Sequence, residues 1–181
     1  VAMAKTYKVT SVKLDHAKLT VYKGYSHKLV ATVSPKKATN KALSWSSSNK
    51  SVATVSSNGT VTGKKAGKVT IKAVAKDGSK KRDSVIVTVK NPIAVTAIQL
   101  NDYDQTLKVG DTYQFSVTKI TPSNATFKGV TWKSNNPAVA TVSSNGHVVA
   151  KGVGHTQIYA ISNDKNHKTQ TVHLVIEPAY V

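Results

Sequence analysis

The residues best suited to chemistry in this chain are cationic. Lys68, Lys72 and Lys76 recur four apart, Lys64 and Lys65 precede them, and Lys80, Lys81 and Arg82 follow after Asp77-Gly78-Ser79. On an extended strand, positions four apart share a face and stand about 13 Å from one another. Such a row binds a polyanion by charge, or it serves as a solvated edge that discourages sheet-to-sheet aggregation. Both readings stand at this level. Lysines present mobile point charges rather than the rigid forks that read base edges. Arg82 is the sole arginine and no aromatic residue is interleaved with the row, so a nucleic-acid partner is not expected.

No other set of side chains points to catalysis. The acids are Asp15, Asp77, Asp83, Asp102, Asp104, Asp111, Asp164 and Glu177, most of them in turn-like stretches. Asp102-Tyr103-Asp104 with Asp111 is a loose calcium candidate, with no first-half equivalent except Asp15, displaced by one. The six histidines have no metal-ligand spacing, and His155 and His167 have no obvious carboxylate partner. Ser46-Ser47-Ser48 reads as a hydrogen-bonded turn. Lys64-Lys65-Ala66-Gly67 is a turn, not a phosphate-cradling loop. Cysteine is absent, which excludes thiol catalysis, cysteine zinc sites and disulfides. No enzyme activity, metal or cofactor is expected.

The elements that must position these residues come in two copies. Val52-Ala53-Thr54-Val55-Ser56-Ser57-Asn58-Gly59 returns unchanged as Val139 to Gly146, 87 positions later. Eight identical residues in register mean a duplicated unit. Each segment reads as a short strand ending in an Asn-Gly hairpin turn, where both residues tolerate positive φ. Residues 9–14 and 95–100 form the first strand of each copy, and 19–23 and 105–109 the second. Ser26 to Val33 and Thr112 to Ile120 form the third, with one extra residue in the second copy that a β-bulge or a longer loop would absorb. Trp45 and Trp132, the two tryptophans, occupy equivalent places and are expected as core anchors, an exposed indole stacking on sugar being the competitor. Val69, Ile71, Ala73 and Ala75 alternate with Lys68, Thr70, Lys72, Val74 and Lys76, so the lysines face outward. Val85, Val87 and Val89, with Val172, Leu174 and Ile176 in copy two, form the last inward faces. Helical periodicity is missing throughout. The expectation is all-β: two tandem immunoglobulin-like antiparallel β-sandwiches. Residues 1–91 form one domain and 92–181 the other, joined by a short proline-containing link that predicts a semi-rigid connection. Residues 1–8 are expected as a frayed tail or a piece of preceding linker.

Charge separates the copies. Residues 1–91 hold 19 Lys/Arg against 3 Asp/Glu, or +16, and residues 92–181 hold 7 against 5, or +2. General solubility does not require that asymmetry, whereas a partner rich in negative charge accounts for it. No apolar run approaches a membrane span, so no membrane insertion is expected. Val1-Ala2-Met3-Ala4-Lys5 does not read as a signal peptide, so an export signal is expected to have been removed or to lie outside this stretch.

Trp45-Ser46-Ser47-Ser48-Asn49, then Val52 to Gly59, then Gly67 to Ala75 resemble the bacterial immunoglobulin-like domain, group 2. Trp132-Lys133-Ser134-Asn135-Asn136, Val139 to Gly146 and Gly154 to Ile161 repeat the pattern. The resemblance implies a surface protein of a bacterium or phage, extracellular and non-catalytic. It fixes no binding residues. Combined with the charge split, it suggests that the first domain holds an exported protein on an anionic wall polymer of teichoic acid type, within a surface-layer or wall-associated protein. The alternatives are a spacer or adhesin stalk binding a host protein or glycan through Tyr103, Tyr113 or Tyr159, or a phage virion module. Neighbouring domains of a longer parent chain are the remaining expected partners.

Overall fold

The computed structural model describes residues 5–179. The chain divides into two compact units, Val1–Asn91 and Pro92–Val181. The elements found in the described residues are strands, an isolated bridge between Lys23 and Gly63, bends and turns.

In the first unit the strands are β1 (Ser11–Leu14), β2 (Lys18–Tyr22), β3 (Ser26–Lys28), β4 (Ala31–Ser34), β5 (Leu43–Ser47), β6 (Ala53–Val55), β7 (Thr60–Gly63), β8 (Gly67–Ala75) and β9 (Arg82–Lys90). Their order is β2-β9-β8-β5 in one sheet, β3-β7-β6 in a second, and β1-β4 as a separate pair. The strict alternation of β8 and β9 builds this arrangement. Val69, Ile71, Ala73, Ala75, Val85, Val87 and Val89 all turn inward and are buried. They meet Val12 and Leu14 of β1, Ala53 of β6, Val61 of β7 and Leu29 in one core. A layer with one apolar face must bury it against a second layer, and here the smaller sheets supply that layer.

The second unit repeats this plan with β10 (Ala97–Leu100), β11 (Asp104–Lys108), β12 (Thr112–Gln114), β13 (Val117–Thr121), β14 (Val130–Ser134), β15 (Ala140–Val142), β16 (His147–Ala150), β17 (Gly154–Ser162) and β18 (Thr169–Glu177). Its sheets run β11-β18-β17-β14, β12-β16-β15 and β10-β13. The core gathers Phe115, Ile158, Leu174 and Ile176. The expected extra residue is a bulge. Leu100 pairs with Val117 and Gln99 with Lys119, which leaves Thr118 over.

Several details differ from the sequence-based expectation. The sandwich is not wholly antiparallel, because β2 pairs with β9, and β11 with β18, in parallel. The third strand is two strands. Leu29 and Val30 break it, so that β3 pairs with β7 while β4 crosses to β1. Tyr7, inside the expected tail of residues 1–8, is tied down rather than frayed. Tyr7 and Thr39 exchange hydrogen bonds, Lys5 and Lys37 lie over the Tyr7 ring, and Val9 is buried. Residues 1–4 of that expected tail lie outside the described residues. Both indoles pack on the core but stay half-buried. Trp45 and Trp132 sit on β5 and β14, the outermost strands of their sheets, where no further strand covers them.

Two carboxylates fasten the first strands. Asp77 Oδ2 accepts the Val9 amide at 2.6 Å, and Asp164 Oδ2 accepts the Val95 amide at 2.8 Å. The Ser79 hydroxyl, with the Val9 amide, holds the Asp77 carboxyl down at about 2. Burial pushes Asp164 up, but the Ser162 hydroxyl and the Val95 amide outweigh it and leave the group below its ordinary value.

Candidate functional site

With odd-numbered residues of β8 and β9 turned inward, the even-numbered ones form the outer face. Lys68 and Lys72 of β8 and Arg82 and Lys90 of β9 are exposed there. The parallel register of β2 adds Lys18, which stands beside Ile86, and places Thr20 beside Thr88. Thr88 in turn faces Lys68 across β9 and β8. With strands about 4.8 Å apart, Lys18 and Lys68 border one shallow cleft. Leu19, Thr20, Ile86 and Thr88 complete it, and its volume is ≈ 410 Å³. Lys72 stands further along β8 between Ser84 and Ser46, and Lys90 lies opposite Tyr22.

The eight residues singled out in sequence are therefore not one cluster. Lys68, Lys72 and Arg82 share the outer face, and Lys76 follows the end of β8 as an exposed residue. Lys64 and Lys65 lie in the link before β8, their amides both bonded to the Val52 carbonyl. Lys80, at φ 58°, and Lys81 belong to the turn after it. A nine-residue strand separates the two sets by about 30 Å. The edge-protection reading also fails in its original form. β8 is an interior strand, flanked by β9 and β5. Lys18 was missed because nothing local in the sequence announces that β2 pairs with β9, and Lys90 because the antiparallel pairing of β9 with β8 is what returns the end of β9 to the start of β8.

The positive face is not neutralised from within. Among the described residues, Lys18, Lys68, Lys72, Lys76, Arg82 and Lys90 form no ion pair with a carboxylate. The acids of this unit are turned to backbone amides: Asp15 to Val30, Asp77 to Val9 and Ser79, Asp83 to Leu14 and Ser84. The same face of the second unit carries Asp104 where the first has Lys18, His155 for Lys68, Tyr159 for Lys72 and Glu177 for Lys90. Its cations Lys108 and Lys133 are balanced in number by Asp104 and Glu177.

The remaining candidates are accounted for by hydrogen bonds. Asp102 accepts from the Tyr103 amide at 2.8 Å, the Tyr113 phenol at 3.2 Å and the Gln105 side chain. Those contacts lower its pKa, the Tyr103 amide most. Asp111 Oδ2 accepts the Lys108 amide at 2.9 Å. These acids close turns and do not converge on a cation site. Tyr113 packs on Phe115, and the Tyr159 hydroxyl is bonded to Gln157. Tyr103 stays 40% exposed, and its hydroxyl accepts the Leu100 amide. One grouping that sequence spacing did not suggest is Asp15, His16 and His27. Their donor atoms lie within 4.8 Å of one another. The turn after β1 and the middle of β3 bring them together, and eleven positions of sequence conceal it.

The family model of the bacterial Ig-like domain (group 2) matches residues 8–86 and 94–172, so the chain belongs to that family. An Ig-like virion protein of Serratia phage KSP90 is 32% identical over 148 residues, 81% of this chain and 57% of that protein. An alpha-L-arabinofuranosidase of Bifidobacterium longum is 38% identical over 125 residues, 68% of this chain and 12% of the enzyme. The chain thus spans less than two thirds of the length of either relative. Among solved structures, the fibronectin(III)-like modules of Clostridium thermocellum CbhA align with a TM-score of 0.55. They are 16% identical, with 93% of this chain and 95% of that chain covered, a likeness of fold.

Proposed function

We propose that this tandem pair of bacterial immunoglobulin-like domains is a non-catalytic surface module whose first domain holds its parent protein against an anionic cell-wall polymer of teichoic acid type. The observation that carries this reading is the outer face of β2-β9-β8. Lys18, Lys68, Lys72, Arg82 and Lys90 stand there without carboxylate partners, and the second domain replaces all five, with Asp104, His155, Tyr159, Thr169 and Glu177. Because fold and topology are shared, the difference in charge has no structural cause within the sandwich. Lysines on an open sheet suit a flexible phosphate polymer, which needs many tolerant point charges rather than one shaped pocket. The face lies outside the cell in this reading, on a bacterial wall or surface layer or, in a phage, on the virion. The partial coverage of the arabinofuranosidase relative fits a module carried beside other domains of a longer chain.

The test is sedimentation of the intact chain with purified Gram-positive walls, before and after teichoic acids are stripped. The expected result is retention on intact walls that falls steeply with added salt and disappears on stripped walls. Equal retention on both would refute the proposal. Salt-indifferent retention that follows a wall glycan would support an adhesive stalk instead.

A further inference from the structure

We infer that the first domain holds a divalent transition-metal site of the zinc, nickel or copper class at Asp15, His16 and His27. Asp15 and His16 lie in the turn between β1 and β2, and His27 is the central residue of β3. Their ligand atoms all come within 4.8 Å of one another, and this is the group of three such residues among the described residues. His16 Nδ1 lies 3.1 Å from Asp15 Oδ1. The nitrogen is buried, and its close neighbour is that carboxylate, whose pKa the imidazole helps to lower. The rings of His16 and His27 meet edge to face, with centroids 5.2 Å apart and planes at 87°.

Two imidazoles and a carboxylate around a common point form a donor set for borderline metals rather than for calcium or magnesium. Bonds of about 2.1 Å in a tetrahedral site put neighbouring donors about 3.4 Å apart. The His16–Asp15 pair, at 3.1 Å, is already within that spacing, and bringing in the third donor from within 4.8 Å needs a side-chain movement of at most about 1.4 Å. Asp15 is exposed and the two histidines are only partly buried, which leaves the fourth position to water. A metal there would tie the β1–β2 turn to β3, across the two layers of the sandwich.

The second domain shows what the same place looks like when it closes with protein groups alone. The shared backbone bonding of Asp15 with Val30 and of Asn101 with Ser116 aligns the two turns. Asn101, Asp102 and Tyr113 then stand for Asp15, His16 and His27. Tyr113 donates to Asp102 Oδ2 at 3.2 Å, and the Asn101 side-chain Oδ1 accepts the Ser116 amide at 2.8 Å. That constellation satisfies itself. In the first domain the corresponding polar contact is the one between His16 Nδ1 and Asp15 Oδ1, with the His27 ring beside it.

The experiment follows from this comparison. The intact chain and its Asp15→Asn/His16→Asp/His27→Tyr variant, which adopts the second domain's own residues, are dialysed against micromolar Zn²⁺ without chelating buffer. The wild type should bind one more equivalent than the variant. Zn²⁺ should raise the melting transition of the wild type alone, and Ni²⁺ should broaden the His16 and His27 imidazole resonances before those of the other four histidines. Circular dichroism of the variant checks that it is folded. If it is not, His27→Gln, which keeps the half-buried polar position, should by itself lower affinity at least tenfold. Equal stoichiometry in wild type and folded variant, or broadening led by His155 or His173, would overturn the assignment.

Discussion

Three glycines in left-handed conformation allow a graded test of how the repeated hairpin packs against its tryptophan. Gly110, at φ +97°, has nothing within 4 Å of where a Cβ would stand. Gly59, at φ +85°, would place that atom 2.7 Å from Trp45 Cζ2. Gly146, at the same φ, would drive it into the backbone carbonyl of Phe115 and within 3.0 Å of the Trp132 ring. Gly110→Ala should therefore cost the backbone term alone, about 1–2 kcal/mol. Gly59→Ala adds displacement of one indole edge, for a total of about 2–3 kcal/mol. Gly146→Ala must also move a main chain fixed by the Phe115 amide bond to Gly146 O, for a total of about 3–5 kcal/mol. A domain of this size has roughly 5–13 kcal/mol in all, so the last change should leave domain two marginal. Urea unfolding of the intact chain, followed by tryptophan emission and circular dichroism, measures all three. The melting point should fall by about 4–8 °C for each kcal/mol. Costs for Gly59→Ala and Gly146→Ala no larger than for Gly110→Ala would refute the claim that the Asn-Gly turns are seated on the indoles.

Other expectations concern the core, the clamps and acid. Ile71→Ala and Ile158→Ala, at fully buried equivalent positions, should each cost about 2–5 kcal/mol in urea titrations and affect only their own domain's transition. Asp164→Ala should destabilise the second domain by about 1.5–3 kcal/mol, because it leaves the buried Val95 amide and Ser162 hydroxyl without their acceptor. Asp77 and Asp164 have carboxyl pKa values lowered by folding, so their contribution is complete above the unfolded value of about 3.9 and fades as pH falls through the folded one. Urea midpoints should therefore decline between about pH 4 and pH 2, and Asp77→Asn should flatten the decline for the first domain.

What could be read from the chain was whatever repeats locally. The period-two alternation of Val69, Ile71, Ala73 and Ala75 gave the strand, its inward face and the outward lysines. The octapeptide at Val52 and Val139 gave the duplication. The break at Leu29-Val30 was hidden because Leu29, Ala31 and Val33 keep the alternation of a single strand although the chain changes partner between them. The composition of the basic face was half legible for a related reason. Lys18 joins Lys68 only through the parallel pairing of β2 with β9, a register that depends on packing across the whole domain, and Lys90 joins it through the antiparallel pairing of β9 with β8. Asp77 and Asp164 looked like ordinary turn acids, and their partners Val9 and Val95 lie nearly seventy positions away. The half-exposure of both indoles depends on β5 and β14 being outermost, which sheet order decides and residue type does not.

The central claim is that an unpaired lysine face on the first sandwich binds an anionic wall polymer. The most direct measurement is the salt dependence of affinity for purified teichoic acid, comparing the intact chain with a Lys18→Asp/Lys68→His/Lys72→Tyr/Lys90→Glu variant. These changes introduce the second domain's own side chains into a shared fold, with two charge reversals and two neutralisations. The wild type should show a steep linear fall of log affinity with log salt, by about 0.7 per phosphate contact if the polymer behaves like other flexible polyanions. The variant should bind at least a hundredfold more weakly in low salt and lose most of the slope. An unchanged affinity and slope in the folded variant would contradict the account.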